Sequence, residues 1–256
     1  MPNIVVVLPT YNEAENLPQM VPHLLTLPID DLHVLIVDDN SPDGTGAIAD
    51  ELAAAHADRV SVLHRPGKQG LGAAYRAAFR HALTLQPTYI AQMDCDFSHD
   101  PDYLPEMVAR AAQCDLVLGS RYVEGGSLDP NWGFGRRLLS WWANSIYIRV
   151  ILRTGVADAT GGYRVWKRYV LESIDLDRIR SNGYVFQAEM AYVTERLGYC
   201  IDEVPIHFAD RSIGASKMDM QIKVEAALRI WQVLLWHHSL KPADRLPVSG
   251  EAGSPT

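Results

Sequence analysis

The feature that most constrains this chain is a rhythm. Short apolar runs, each ending in acidic, basic or glycine-rich residues, alternate with longer stretches whose apolar residues recur at helical spacing. The runs Ile4 to Leu8, His33 to Val37, Val60 to His64, Tyr89 to Met93 and Asp115 to Leu118 are aliphatic and β-branched, the composition of buried strands. Between them, Glu13 to Leu27, Thr45 to His56, Leu71 to Leu85 and Pro101 to Gln113 carry helical spacing; the last opens with His-Asp-Pro, a capping residue followed by proline at the first helical position. The order βαβαβαβαβ predicts an α/β fold, a mostly parallel central sheet with right-handed crossovers and helices on its faces.

In such sheets ligands gather outside the carboxyl ends of the strands. The five runs are followed by PTYNE, DDNSPDG, RPGKQGLG, DCDFSHD and GSRYVEGG, whereas LPIDDL and LQPT, at the other ends, are ordinary connectors. One sheet edge therefore concentrates the chemistry.

Past about Tyr122 the alternation fails. A helical stretch is expected from Arg137 to Leu152, a turn-rich loop from Val156 to Arg164, a helix from Val185 to Leu197, a strand from Cys200 to Phe208 and a helix from Met220 to Trp236. Residues 1–241 are expected to form one domain, with a first half to about residue 121 and a second beyond it. The tail from Pro242 lacks apolar periodicity and is expected to be disordered.

Composition excludes several classes. With 256 residues and 48% apolar content the chain has ample material for a core, and a formal net charge of −8 argues against a general nucleic-acid binder. Cys95, Cys114 and Cys200 are odd in number and lack C-x-x-C spacing, so neither a disulfide framework nor a thiolate zinc site is expected, and a reducing cytosol is the default. The N-terminus has no basic leader, and no run approaches the roughly 20 apolar residues that cross a bilayer.

Among the strand-end residues, Asp94 and Asp96 are two apart and converge if strand geometry persists. Paired carboxylates there suit a hard divalent cation shared with a diphosphate, although a turn cap uses the same residues; Asp100 is read as a helix cap. Asp38 and Asp39 fit a ribose or base contact, or an Asx-type turn. RPGKQGLGAA matches neither G-x-x-x-x-G-K-[ST] nor G-x-G-x-x-G, which disfavours a P-loop kinase and a dinucleotide enzyme; Lys68 is a nucleotide ligand or a solvated loop lysine.

VVLPTYNEAENL, LIVDDNSPDGT, KQGLGAAYRAAF, MDCDFSHDP and LGSRYVEGG, with the later DATGGYRVWKR and DRSIGASK, occur in the order and spacing of family 2 glycosyltransferases of the GT-A fold. Over roughly residues 3 to 236 the chain most resembles the polyprenyl or dolichyl phosphate mannose synthases. The resemblance implies transfer of mannose from GDP-mannose to a polyprenyl phosphate with inversion. It places Pro9, Tyr11, Glu13, Val37 and Asp39 at the nucleotide, and Asp94 and Asp96 on Mg²⁺ or Mn²⁺, with Ser98 where relatives place a further ligand and Cys95 among the donor-binding residues. Arg121 is implied near the transferred phosphate, Arg136 and Ser140 at the acceptor phosphate, and Arg211 and Lys217 in a basic loop over the donor diphosphate. Asp96, Arg121, Arg211 and Lys217 are thus expected to carry the chemistry. A phosphate acceptor is already anionic, so a strong general base is not obligatory; Asp96 or Asp158 would be the candidates. Asp158 and Gly161 lie in DATGG, a loop that lines the site in relatives.

A lipid acceptor requires an apolar approach. RRLLSWWANSIYIRVILR and MQIKVEAALRIWQVLLW combine aromatics, aliphatics and basic residues, and in the second Gln221, Glu225, Arg229 and Gln232 form one polar stripe. Both suit an interfacial helix, and equally a helix packed half into a core. The expected partners are GDP-mannose, a polyprenyl phosphate and the cytoplasmic face of a membrane bound peripherally, with no nucleic acid and a membrane-anchoring protein left open. Competing readings are a UDP-glucose-dependent transferase and a non-catalytic nucleotide- or lipid-binding module.

Overall fold

The computed structural model describes residues 3–209 and 220–248, with the side chains of residues 220–224 left out. The first half follows the predicted rhythm: β1 (Ile4–Thr10), α1 (Leu17–Thr26), β2 (Leu32–Asp38), α2 (Thr45–Ala55), β3 (Val60–His64), α3 (Leu71–Thr84), β4 (Tyr89–Gln92), α4 (Leu104–Ala111) and β5 (Leu116–Ser120). A 3₁₀ turn, Pro101–Tyr103, precedes α4, and the Asp100 carboxylate caps it by accepting from Asp102 N at 3.0 Å. The second half adds β6 (Ser127–Leu128), α5 (Phe134–Trp142), a π-helical turn Ala143–Ile148, α6 (Arg149–Leu152), β7 (Arg164–Lys167), α7 (Arg168–Ser173), α8 (Gly183–Arg196), β8 (Ile201–Pro205), β9 (His207–Phe208) and α9 (Met220–His237).

Seven strands form one sheet in the order β3-β2-β1-β4-β7-β5-β8, with β6 and β9 paired apart from it. All neighbours are parallel except β7, which runs antiparallel between β4 and β5. The sequence pattern misses this strand because RVWK is short and half charged. Its direction has a consequence: Arg164 pairs with Gln92, so β7 starts at the carboxyl end of β4 and delivers the preceding DATGG loop to the functional edge.

Both faces of the sheet are covered, which is why its strands are apolar throughout. Strand alternation sends Val5, Val7, Leu35 and Val37 into a core with α3, α7, α8 and α9, and Ile4, Val6, Leu8, Val34 and Ile36 into a second core with α1, α2 and α4. Each such fully buried side chain contributes about 1.5–3 kcal/mol.

Two expectations are corrected. Cys114 and Cys200 form a disulfide across a sequence separation of 86. They precede β5 and β8, parallel neighbours whose register sets Leu116 against Ile201, so the sheet itself brings together two cysteines that show no motif. The start of the tail is also ordered: Pro242–Asp244 forms a 3₁₀ turn, Leu246 N donates to Ser173 O at 2.9 Å, and Arg245 lies over the Tyr199 ring at 3.9 Å.

Candidate active site

The carboxyl ends of β1, β2 and β3 form the first wall. Asp38 and Asp39 divide the two readings of their motif between them. Asp38 closes the turn, accepting from Ser41 N at 3.2 Å and Ser41 Oγ at 2.5 Å. Asp39 turns to the site and pairs with the buried Arg65 at the end of β3, whose Nη2 also reaches Gln69 Oε1 at 3.3 Å. Arg65 escapes motif reading because RPGKQG draws attention to its lysine. Lys68 is exposed and stacks its ammonium over the Tyr11 ring at 3.9 Å, and its charge is close enough to act on Asp39. The PTYNE loop is tied to the next one: Thr45 Oγ1 accepts from Glu13 N at 2.9 Å, and Asp43 accepts from Ala14 N at 3.1 Å. Pro9 is half-buried at the β1 end. Val37, expected at the nucleotide, buries its side chain in the core, so a contact with a ligand would be through its backbone.

Beyond β4 the chain turns through Asp94, Cys95 and Asp96. Asp94 is partly exposed and lies 3.4 Å from the Tyr75 hydroxyl; burial, and then the negative charge of Asp94, hold that phenol well above its usual range. Asp96 is 5% exposed. Ser98 donates to Asp96 Oδ1 from its hydroxyl at 2.6 Å and its amide at 3.1 Å, so it orients the carboxylate that it was expected to assist as a further ligand. Cys95, implied among the donor-binding residues, turns its thiol into the core, where burial pushes it far above the ordinary thiol range. Phe97 sits at φ 60°, a left-handed conformation costing a β-carbon residue about 1–2 kcal/mol, and the bonds on either side hold it there. Asp94 and Asp96 offer oxygen donors only, the set that a hard divalent cation prefers. Among the described residues no group of three His, Cys, Asp or Glu side chains converges on a common point. The pair fits a shared cation of that kind.

Arg121, directly after β5, faces this turn from the other side. Asp158 in the DATGG loop grips it in a fork, Nε to Oδ2 at 2.7 Å and Nη2 to Oδ1 at 2.6 Å, and also accepts the Arg121 amide at 2.9 Å. Burial works against the cation, but the charge and hydrogen bonds of Asp158 outweigh it and hold the guanidinium above its ordinary value. Asp158 is completely buried in this role. The loop around it is fixed at both ends. Glu203 on β8 accepts from Ala157 N at 2.7 Å and Asp158 N at 2.9 Å, while Arg164 donates to Ala159 O at 2.8 Å and Gly161 O at 2.9 Å. Burial pulls Arg164 down to about 9, which leaves it a cation at neutral pH.

A ring of hydrogen bonds continues from Arg121 into the helical stretch 134–152. Arg121 Nη2 donates to Thr160 Oγ1 at 3.0 Å, Thr160 N to Asn144 Oδ1 at 3.1 Å, and Asn144 Nδ2 to Ser140 O at 3.1 Å. Tyr122 closes it by donating to Ser140 Oγ at 2.6 Å. Asn144 lies in the π-helical turn, a distortion found often at functional sites. Arg136 begins the same stretch, exposed and 3.5 Å over the Trp132 ring. Outward, the stretch presents Phe134, Leu138, Leu139, Trp141, Trp142 and Val150 to solvent. Alongside it, α9 buries Ile230 and Val233 while exposing Leu228, Trp231 and Leu235, so this helix is both packed into a core and apolar outside. Tyr147 links the two by donating to Ala227 O at 2.9 Å. Arg211 and Lys217 lie outside the described residues.

The site thus gathers strand-end acids, two buried arginines and an apolar flank on one edge. The chain is 46% identical over 226 residues to polyprenol monophosphomannose synthase of Mycolicibacterium smegmatis, covering 88% of this chain and 84% of the relative. It is 44% identical to undecaprenyl-phosphate mannosyltransferase of Micrococcus luteus, covering 89% and 92%. Its fold is shared with a mannosyltransferase from Pyrobaculum calidifontis solved with GDP-Man and Mn²⁺, at a TM-score of 0.58, 18% identity and coverage of 95% of this chain and 72% of that one. It is also shared with glucosyl-3-phosphoglycerate synthase from Mycobacterium tuberculosis, solved with Mn²⁺, UDP and phosphoglyceric acid, at a TM-score of 0.64, 17% identity and coverage of 97% and 88%. Residues 5–175, which contain both walls of the strand-end site and the DATGG loop, match glycosyl transferase family 2, and with relatives this similar across nearly its whole length the chain belongs to that family.

Proposed function

We propose that the chain transfers mannose from GDP-mannose to a polyprenyl phosphate, giving a β-linked mannosyl phospholipid and GDP. The observation that carries this reading is the polar ring Arg121–Thr160–Asn144–Ser140–Tyr122, which joins a strand-end nucleotide site to a helix with an exposed apolar face. A water-soluble acceptor has no use for that face; a phosphate carried on a long hydrocarbon chain does. Both relatives named above act, by their names, on polyprenyl carriers.

In this reading Asp39 with Arg65 meets the base, Tyr11 with Lys68 flanks the nucleoside, and the acceptor phosphate lies between Arg121 and Arg136. Asp158 occupies Nε and Nη2 of Arg121, leaving Nη1 for a phosphate oxygen in a fixed direction. A divalent cation, Mg²⁺ or Mn²⁺, held by Asp94 and Asp96 supplies neutralisation of the donor diphosphate when bound. The acceptor oxygen attacks the anomeric carbon as the bond to GDP breaks, and one displacement inverts the centre. The nucleophile is already an anion, so the arginines are needed to hold two anions within reach of each other. Arg211 and Lys217 are assigned to the leaving diphosphate on motif alone.

No helix among the described residues is long and apolar enough to cross a membrane. The faces of 134–152 and α9 are proposed instead to lie in the interface, tryptophans at headgroup depth, with Arg137, Arg149 and Arg153 toward lipid phosphates. The test incubates the protein with Mg²⁺ or Mn²⁺, a polyprenyl phosphate and radiolabelled GDP-mannose or UDP-glucose, and counts label in the organic phase. Label from GDP-mannose alone is expected. Label from UDP-glucose alone refutes the donor, and none from either refutes the transferase reading.

A further inference from the structure

His99 belongs to the MDCDFSHDP stretch, yet no motif assigns it a role. It is 2% exposed, and its Nδ1 accepts the backbone N–H of Asp94 at 2.9 Å, reaching back across the turn to the residue that opens it. Because Nδ1 accepts, the ring is the neutral tautomer with its proton on Nε2. The imidazole is clamped on three sides. Tyr163 stacks on one face, centroids 5.2 Å apart with 25° between planes, and Phe208 meets it edge-on at 5.6 Å. On the third side lies Gly162: a β-carbon there would stand 3.0 Å from His99 Cε1, tight enough to push the ring.

The turn needs such a clamp. Phe97 holds a left-handed conformation in the middle of it, and two like-charged carboxylates stand two residues apart, so both strain and repulsion favour opening. Ser98 fixes the carboxylate of Asp96, and His99 holds the backbone of Asp94. We propose that His99 is a positioning residue that fixes the Asp94 backbone and so sets the separation of the Asp94 and Asp96 carboxylates for a divalent cation, with Gly162 present to admit its ring. The DATGG loop would then serve both halves of the site, orienting Arg121 through Asp158 and the cation-binding turn through Gly162. This rests on the reading of Asp94 and Asp96 as cation ligands.

The two ideas separate in one experiment, a titration of Mn²⁺ in the presence of GDP, followed by the electron paramagnetic resonance signal of free Mn²⁺. Wild type is expected to bind and Asp94→Ala to lose binding; no binding by wild type overturns both the cation reading and the inference. Given wild-type binding, His99→Leu, which keeps bulk and removes the acceptor, is expected to weaken Mn²⁺ affinity about tenfold to a hundredfold, the range for losing a group that orients a ligand. His99→Asn, whose side-chain oxygen can replace Nδ1, should recover most of it. Gly162→Ala touches no ligand and removes no hydrogen-bonding group, yet should weaken Mn²⁺ binding several-fold by displacing the ring. Wild-type affinity in His99→Leu or in Gly162→Ala, with Asp94→Ala still defective, overturns the inference while leaving the cation reading intact. Should His99→Leu fail to fold, Gly162→Ala decides alone.

Discussion

The strand ends of β1 to β4 and the helices past Tyr122 line the same edge but solve opposite problems. In the first region the acids are engaged with neighbours, most of them buried: Asp38 with Ser41, Asp39 with Arg65, Asp96 with Ser98, and the exposed Asp43 with Thr45. In the second, Ile146 stands exposed with the six large apolar residues of 134–152 named above, and three more are exposed on α9. A polyanionic, water-soluble ligand is best met by preorganised dipoles and charges, which cost nothing to reorient when it arrives. An amphiphile is best met by apolar surface left uncovered until a lipid covers it. The contrast is the one that the proposed transfer from a small polar donor to a lipid-borne acceptor requires.

The largest effect is expected at the acids of the first region. Asp94→Ala and Asp96→Ala should each reduce transfer on the order of 10³-fold with little change in Tm, measured by organic-phase label beside a thermal melt, since a strand-end carboxylate serves the ligand more than the fold. Retained turnover in either would remove the cation from the first region.

In the second region the largest effect should be on stability. Glu189 is completely buried and accepts from Ser181 N at 2.7 Å and Arg180 N at 3.2 Å, and pairs with His237 at 2.7 Å, pinning the end of α9 to α8. Burial works to raise its pKa, but these partners outweigh burial and hold it below the 4.5 of an ordinary glutamate. A depressed carboxylate stabilises fully above its unfolded pKa and loses that contribution as pH falls through its lower folded value. Glu189→Gln should therefore cost about 3 kcal/mol at pH 7 and flatten the loss of stability below pH 4.5, read by denaturant melts across pH. An unchanged acid limb would show that the carboxylate does not anchor α9.

Asp158→Asn tests the junction. It keeps one acceptor for Arg121 but loses the charge and the fork, and kcat should fall about 10²-fold, assayed below the melting temperature. The smallest effect belongs to the apolar faces. Leu138→Glu with Trp231→Glu should weaken sedimentation with phospholipid vesicles about tenfold while leaving turnover of a short, water-soluble acceptor phosphate unchanged. Equal loss on both acceptors would mean that these faces serve the fold.

Much of the first region is legible in local sequence pattern. Strand alternation and the acids at strand ends require only that the sheet be parallel and covered on both faces, and local pattern reports both. The same alternation turns the side chains of Val37 and Cys95 into the core although each lies beside a strand-end acid in sequence. Arg65, Arg164, Glu203 and His99 carry no legible signal, because each acts on atoms of another segment.

The α/β order, the functional edge, the acidic pair Asp94 and Asp96 and the family to which those motifs belong all follow from the order of residues along the chain. It takes the packed molecule to show that β7 enters antiparallel between β4 and β5, that Cys114 meets Cys200, and that Asp158 holds Arg121 while Gly162 admits His99. The physical reason is range. Periodicity and capping are set by neighbours within a few residues, whereas a buried charge finds its partner, and a ring its space, through the packing of segments that the chain keeps far apart.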